Sequence, residues 1–235
     1  NQHLKNLYCD YVAIIFDGWE VNPLGSLNKI KMTDTNSFDT IIVGGSYAGL
    51  SAAMALGRSL RHVLLIDSGM PCNERTPHSH NFLTQDGKTP KEISMLAKHQ
   101  VEKYGTVKFY NGIASSGRKS ENGFEITTDT GNKFNAKKLI FATGIKDMMP
   151  DIMGFAECWG VSIIHCPYCH GYEYRNQNTA IIANGAKAFH LASLVKNLTD
   201  NITILTSETA DFTSEQLDKL NTHGIKIIET KIVRR

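Results

Sequence analysis

The stretch Cys166-Pro167-Tyr168-Cys169-His170-Gly171-Tyr172-Glu173 sets two thiols beside an imidazole. Cysteines at i and i+3 can close a small disulfide, and the thiolate is the species that attacks or leaves when such a bond exchanges. An imidazole beside the second cysteine titrates near neutrality and can give or take the proton that each exchange moves. Far upstream, Gly44-Gly45-Ser46-Tyr47-Ala48-Gly49 carries a second chemistry. In a dinucleotide fingerprint the first glycine makes a tight turn, the second admits the pyrophosphate and the third packs helix against sheet. Gly44 and Gly49 take the first and third places, and Ser46 stands at the second, small enough for close backbone approach. Asp67 follows at about the spacing of a ribose-binding acid, roughly 20 residues on. A dithiol and a nucleotide turn in one chain point to redox chemistry.

Other readings of these residues are weaker. Cys166, Cys169 and His170 spell the C-x-x-C-H of covalent haem attachment, but neither an export signal nor a haem-sized helical pattern accompanies them. His165, Cys166, Cys169 and His170 are all zinc-ligand types. Structural zinc sites draw ligand pairs from separated segments, and no second pair is present, so no metal is expected. Inert core thiols, with His170 a solvated loop residue, are the bland alternative. Gly44–Gly49 has one too, the glycine turn of an α/β domain that binds nothing. Cys9, Cys72 and Cys158 have no partner spacing and read as structural.

The elements around these motifs have the lengths that βαβ units need. Phe38–Val43 is a short apolar run, as a buried parallel strand should be, and Tyr47–Leu60 reads as a helix. His62–Ile66 is the second strand. Thr89-Pro90-Lys91-Glu92 opens a helix to about Tyr104, with Thr as cap, Pro at the first position and Glu completing a capping box. Val107–Tyr110, Gly123–Thr128 and Lys133–Asn135 cluster like strands between turn signals, and Lys138–Ala142 is another buried strand ending in Thr143-Gly144. A linker with Pro150 and Gly154 leads to the cysteines. Thr179–Ile182, a helix Ala186–Leu198, Ile202–Thr206, a second capping box at Thr213–Gln216 with its helix to about Gly224, and Ile225–Ile228 then form a second βαβ run.

The bulk numbers agree. A chain of 235 residues with 41% hydrophobic content holds one or two globular domains. A net charge of +2 gives no reason to expect nucleic acid or a membrane surface. Five cysteines, unevenly spread, are no secreted disulfide framework, and a C-x-x-C within βαβ patterning suits the reducing cytoplasm. The apolar run Tyr11–Phe16 is too short to span a bilayer and lacks the flanks of a signal peptide. The chain opens on Asn1, and Met32 precedes a polar linker and the first clear strand. Residues 1–37 are therefore expected to be a leader or read-through segment without stable structure.

The nucleotide turn, then Ala142-Thr143-Gly144, then Cys-Pro-Tyr-Cys with Gly-Tyr-Glu behind it resemble the thioredoxin reductase family. More narrowly, they resemble its thioredoxin reductase-like flavoproteins, which include bacterial and fungal dithiol oxidases. The resemblance runs from about Phe38 to Arg235 and implies an α/β fold of two Rossmann-like, doubly wound domains. An FAD domain with a β-meander would occupy residues 38–148, and an NAD(P)-type domain bearing the C-x-x-C residues 149–235. It implies FAD held by Gly44, Gly45, Ser46, Ala48, Gly49, Asp67, Ala142, Thr143 and Gly144, with Arg75, His80 and Asn81 on the flavin side. Cys169 would face the flavin, Cys166 would exchange with substrate, and His170 would serve as the acid. Family reductases carry Asp at that last place, and His resembles the oxidase side.

Two further departures bear on function. The glycine turn of the second domain reads Ala183-Asn184-Gly185-Ala186, where only Gly185 survives of the family's turn; Gly185, Ala186 and Glu208 are the candidate positions for a nicotinamide nucleotide. The basic cluster that reads a 2′-phosphate is replaced by Thr206-Ser207-Glu208, whose acid would repel it. NADH, or no pyridine nucleotide, fits these residues better than NADPH. The chain also stops inside the second domain, so the C-terminal return of the FAD domain is expected to be missing. The reading is an FAD-dependent dithiol–disulfide oxidoreductase acting on a thioredoxin-like protein or a small dithiol. Its directions are a reductase fed by a nicotinamide or by ferredoxin, and an oxidase passing electrons to oxygen. A truncated, non-catalytic remnant of the fold stands beside them, and the resemblance implies a homodimer.

Overall fold

In the computed structural model, residues 36–232 are described. The expected leader lies outside them except for its last two residues, as does Cys9. The first strand, β1 (Ser37–Val43), lies at the centre of a six-stranded sheet. Its neighbours are β2 (Val63–Asp67) on one side and β6 (Lys133–Phe141) on the other, both parallel to it. β3 (Val107–Asn111) extends the parallel part beyond β2. β4 (Ala114–Ser120) and β5 (Gly123–Thr128) add an antiparallel meander beyond β6, giving the order β3-β2-β1-β6-β5-β4.

Strand alternation explains why the central runs are apolar throughout. Ile41, Leu64 and Ile66 point to one face, with Phe38, Phe134 and Ile126. Ile42, Val63 and Leu65 point to the other, where Leu50, Ala53, Val101 and Val107 meet them. A strand buried on both faces has no polar side to show. The second face is covered by α1 (Tyr47–Arg58) and α2 (Pro90–Glu102). α1 lies close because its inward positions are small: a Cβ at Gly57 would stand 2.8 Å from Val107 Cγ2. α2 starts at the expected capping box, Thr89 Oγ1 accepting from the Glu92 amide and Glu92 from the Thr89 amide.

Two differences from the sequence reading have physical causes. β4 was not foreseen because Ala114–Ser120 is polar and mostly exposed, with no apolar alternation to betray it. It is an edge strand, and Arg118 crosses to Glu125 on β5 with two hydrogen bonds of 2.8 and 3.0 Å, charges of the kind that blunt an edge. The two runs Lys133–Asn135 and Lys138–Ala142 are one nine-residue strand, β6. Its first half pairs with the meander, and it pairs with β1 from Asn135 to Phe141, so its sequence pattern changes midway.

After the linker come α3 (Phe155–Cys158), α4 (Pro167–His170) and a 3-10 turn, Gly171–Tyr174, none foreseen as helical. A parallel three-stranded sheet follows, β7 (Thr179–Ile182), β8 (Ile202–Leu205) and β9 (Lys226–Ile228), in that order. α5 (Gly185–Val195) and α6 (Ser214–Thr222) connect its strands. Its core is Ile181, Ala188, Ala192, Val195, Ile202, Ile204, Leu220 and Ile225. No described helix is long and apolar enough to cross a membrane.

Candidate active site

The fingerprint turn sits where β1 ends. Gly44 has φ +104, and a Cβ there would lie 2.2 Å from the Ala142 carbonyl oxygen. A Cβ on Gly49 would lie 1.9 Å from the Gly44 oxygen, and one on Gly45 2.6 Å from the Asp67 side chain. The turn is thus built from glycines because three pieces of chain converge on it. Asp67, at the end of β2, accepts a 2.9 Å hydrogen bond from the Gly45 amide. Ser46 caps α1 without a side-chain hydrogen bond, leaving the amides of the first turn, Ala48 among them, open to phosphate oxygens. A cleft of about 700 Å³ opens here, lined by Gly44, Gly45, Ser46, Asp67, Thr143 and Gly144 among others. The size is that of a cofactor site. Cys72, expected to be structural, is exposed on the same wall.

The dithiol lies on a turn whose shape its own sequence sets. Cys166 is the extended residue before α4, and Pro167, with no amide hydrogen to lose, takes the first helical position. One turn of helix then brings Cys169 Sγ to 2.6 Å from Cys166 Sγ, so a disulfide can form without backbone rearrangement. Partial burial pushes the Cys169 thiol up to about 11, helped by the neighbouring Cys166. His170 is half-buried, and its imidazole is held below the usual range. Burial is the main cause; His80 and His165 add to it, and Glu173 opposes it. Trp159 stacks on the His165 ring at 5.6 Å, and on Phe155 at 5.9 Å.

His80 and Asn81 lie in a self-bonded loop. The Asn81 amide donates to Asp86 Oδ1 at 2.8 Å, and the Ser79 and Gly87 amides close the loop. His80 Nδ1 is 3.6 Å from Asp86 and Nε2 is 3.6 Å from Glu173, while its ring stands edge-on to His170 with centroids 6.4 Å apart. Arg75 donates to the Ala156 carbonyl, so this segment packs against the stretch that leads to the cysteines. Glu173 and Asp86 were not read as partners of His80, because nothing in the spacing links the loop to the 3-10 turn.

In the second sheet the glycine turn is filled from within. Asn184 caps α5, its Oδ1 accepting from the amides of Gly185 at 2.8 Å and Asp211 at 3.0 Å. Its Nδ2 donates to the Thr209 carbonyl at 2.9 Å and reaches Glu208 Oε1 at 3.4 Å. Gly185 has φ +56, and Ala186 follows it in the first turn.

The sequence profile described as pyridine nucleotide-disulphide oxidoreductase matches residues 38–234. The chain belongs to that family. Its curated relatives include a thioredoxin reductase of Claviceps purpurea, tcpT, 36% identical over 74% of this chain and 56% of its own length. Another is the thioredoxin reductase aclD of Aspergillus oryzae, 33% identical over 84% of this chain and 66% of its own. Among solved structures, an oxidoreductase from Agrobacterium tumefaciens superposes with a TM-score of 0.80 at 39% identity, covering 84% of this chain and 67% of its own. The chain thus spans about half to two thirds of the relatives it matches. As a member of that family it has the expected α/β, Rossmann-like fold. The bare glycine cradle and uncapped helix start fit the pyrophosphate of an FAD. Among the described residues no group of three or more His, Cys, Asp and Glu side chains could hold a metal ion.

Proposed function

We propose that this chain performs flavin-dependent dithiol–disulfide exchange. Cys166 and Cys169 would alternate between disulfide and dithiol while a thioredoxin-like protein or small dithiol is oxidised or reduced. The observation that carries the reading is the facing pair of sulfurs, with the half-buried His170 next in the chain. The FAD would lie along Gly44, Gly45, Ser46, Ala48, Gly49 and Asp67, with Ala142, Thr143 and Gly144 as the opposite lip, in a domain of residues 38–148. Residues 149–235 would form the second nucleotide-type domain. When bound, FAD supplies the two-electron acceptor or donor that the sulfur pair needs to turn over.

The thiol chemistry follows from the side chains. In the oxidising direction His170, neutral at pH 7, takes the proton of the first substrate thiol. The resulting thiolate attacks Cys166 Sγ, the Cys166–Cys169 bond breaks, and Cys169 leaves with its electron pair. A thiol pushed up to about 11 is a strong base as a thiolate, so Cys169 recovers the proton from His170 at once. The second substrate thiol gives His170 its proton and attacks the mixed disulfide, and Cys166 leaves and is protonated in turn. Two electrons and two protons pass from substrate to the cysteine pair, and the reverse sequence reduces a substrate disulfide.

Asn184 favours an electron partner other than NADPH. Its side chain occupies the start of α5, where a pyrophosphate would dock, and it holds Glu208 near the place of a 2′-phosphate. An oxygen-linked dithiol oxidase fits that arrangement. The test is anaerobic titration of the FAD-loaded protein while flavin absorbance is followed. Bleaching by a small dithiol, lost in Cys169→Ser, is the expected result. Equal bleaching in Cys169→Ser, or none in the wild type, would reject the sulfur pair as the redox centre.

A further inference from the structure

His80 has more partners than a flavin-lining residue needs. Its two ring nitrogens are each 3.6 Å from a carboxylate, Asp86 on its own loop and Glu173 on the 3-10 turn. At that distance neither contact is a hydrogen bond, so neither carboxylate fixes the tautomer of the neutral ring, and both attract it when it carries a proton. The His170 ring faces it edge-on, and the His78 ring is tilted against it, each with centroids 6.4 Å away. Exposure rises outward along this set. The His80 side chain is 24% exposed, Glu173 36% and Asp86 67%. His170, which follows Cys169 in the chain, is half-buried like His80.

We propose that His80 is a positioning residue acting through His170, relaying the protons of thiol exchange between His170 and the Glu173 and Asp86 carboxylates at the surface. The proposal rests on the dithiol reading above and extends it. When a disulfide is reduced and its leaving thiolate departs unprotonated, the proton taken from the attacking cysteine stays on His170 and must be discharged before the imidazole can act again. The His80 ring stands edge-on to it, centroids 6.4 Å apart, and itself faces the two carboxylates. Its own positive charge, when protonated, repels a proton on His170, while Glu173 attracts one. The groups facing His170 are His80, Glu173 and His165; those facing His80 are His170, His78, Asp86 and Glu173.

The opposite signs of these two influences make the test. His170 is titrated by imidazole NMR in the reduced protein, its signal assigned with His170→Asn. Loss of the His80 imidazole in His80→Gln raises the His170 midpoint, and loss of the carboxylate in Glu173→Gln lowers it. His80→Gln also slows exchange with a small disulfide at pH 7 roughly tenfold, short of the roughly 10²–10⁴-fold loss expected for the direct acid–base group. Glu173→Asp restores most of the rate lost in Glu173→Gln. Midpoints unmoved, or moved together in one direction, overturn the relay, as does a His80→Gln rate equal to wild type across the pH range. His80→Asn replaces His80→Gln if the latter fails to fold. Both measurements need no flavin, so failure of dithiol bleaching with midpoints moving as stated sinks the functional reading, and intact bleaching with fixed midpoints sinks only the relay.

Discussion

At the residue scale the site is a contest between burial and charge. The Cys169 thiol, at about 11 in place of its ordinary 9.0, stays protonated at pH 7. Its alkylation by iodoacetamide, followed by mass spectrometry in the reduced protein, is expected to keep rising towards pH 11; a plateau by pH 8 would contradict the burial that causes the shift. His170 carries the opposite linkage. Its folded value lies below the usual 6.5, so the unfolded chain binds the proton more readily. The stability it contributes is full above pH 6.5 and is lost as pH falls through the folded value. Urea midpoints taken from pH 7 to 5 should therefore fall more in wild type than in His170→Gln. The sulfurs and this imidazole were legible in the sequence because they are neighbours in it. His80, Glu173 and Asp86 were legible as residues but not as a group, since only folding brings the loop and the 3-10 turn together.

Elements were readable where a local signal writes them. Both capping boxes formed as expected, at Thr89 and Thr213, because each needs only residues within one turn. Thr89→Ala should lower stability by about 1 kcal/mol in chemical denaturation. β4 was unreadable because an edge strand is held by main-chain pairing that leaves no mark on side-chain polarity. The glycine turn shows the other extreme, where sequence and geometry say the same thing. Gly49→Ala places a methyl 1.9 Å from the Gly44 oxygen, so α1 must move off the sheet. A loss of roughly 1–3 kcal/mol in unfolding free energy is expected, of the size of other backbone strain. FAD should be lost on gel filtration; retention of flavin at wild-type stoichiometry would show that the cradle does not bind it.

At the scale of the whole molecule the two glycine turns have diverged. The first is bare and opens on a cleft, and the second is closed by Asn184 and the segment from Glu208 to Asp211. Glu208→Arg alone should therefore fail to confer NADPH oxidation, because Asn184 still fills the start of α5. NADPH-dependent flavin bleaching in that single variant would show the closure to be easily displaced. The pairing of β1 with β6 has a consequence in time. Ser37 meets Asn135 and Val43 meets Phe141, partners separated by on the order of a hundred residues. During synthesis β1 can dock on β2 early, yet its other edge waits for β6 to leave the ribosome. Until then a strand as apolar as Ile41–Ile42 has a free edge, open to pairing with another nascent chain. Ala142, which roofs Gly44, arrives with the same strand. A nucleotide captured at this turn would therefore arrive late in the life of the chain, after that apolar edge has closed.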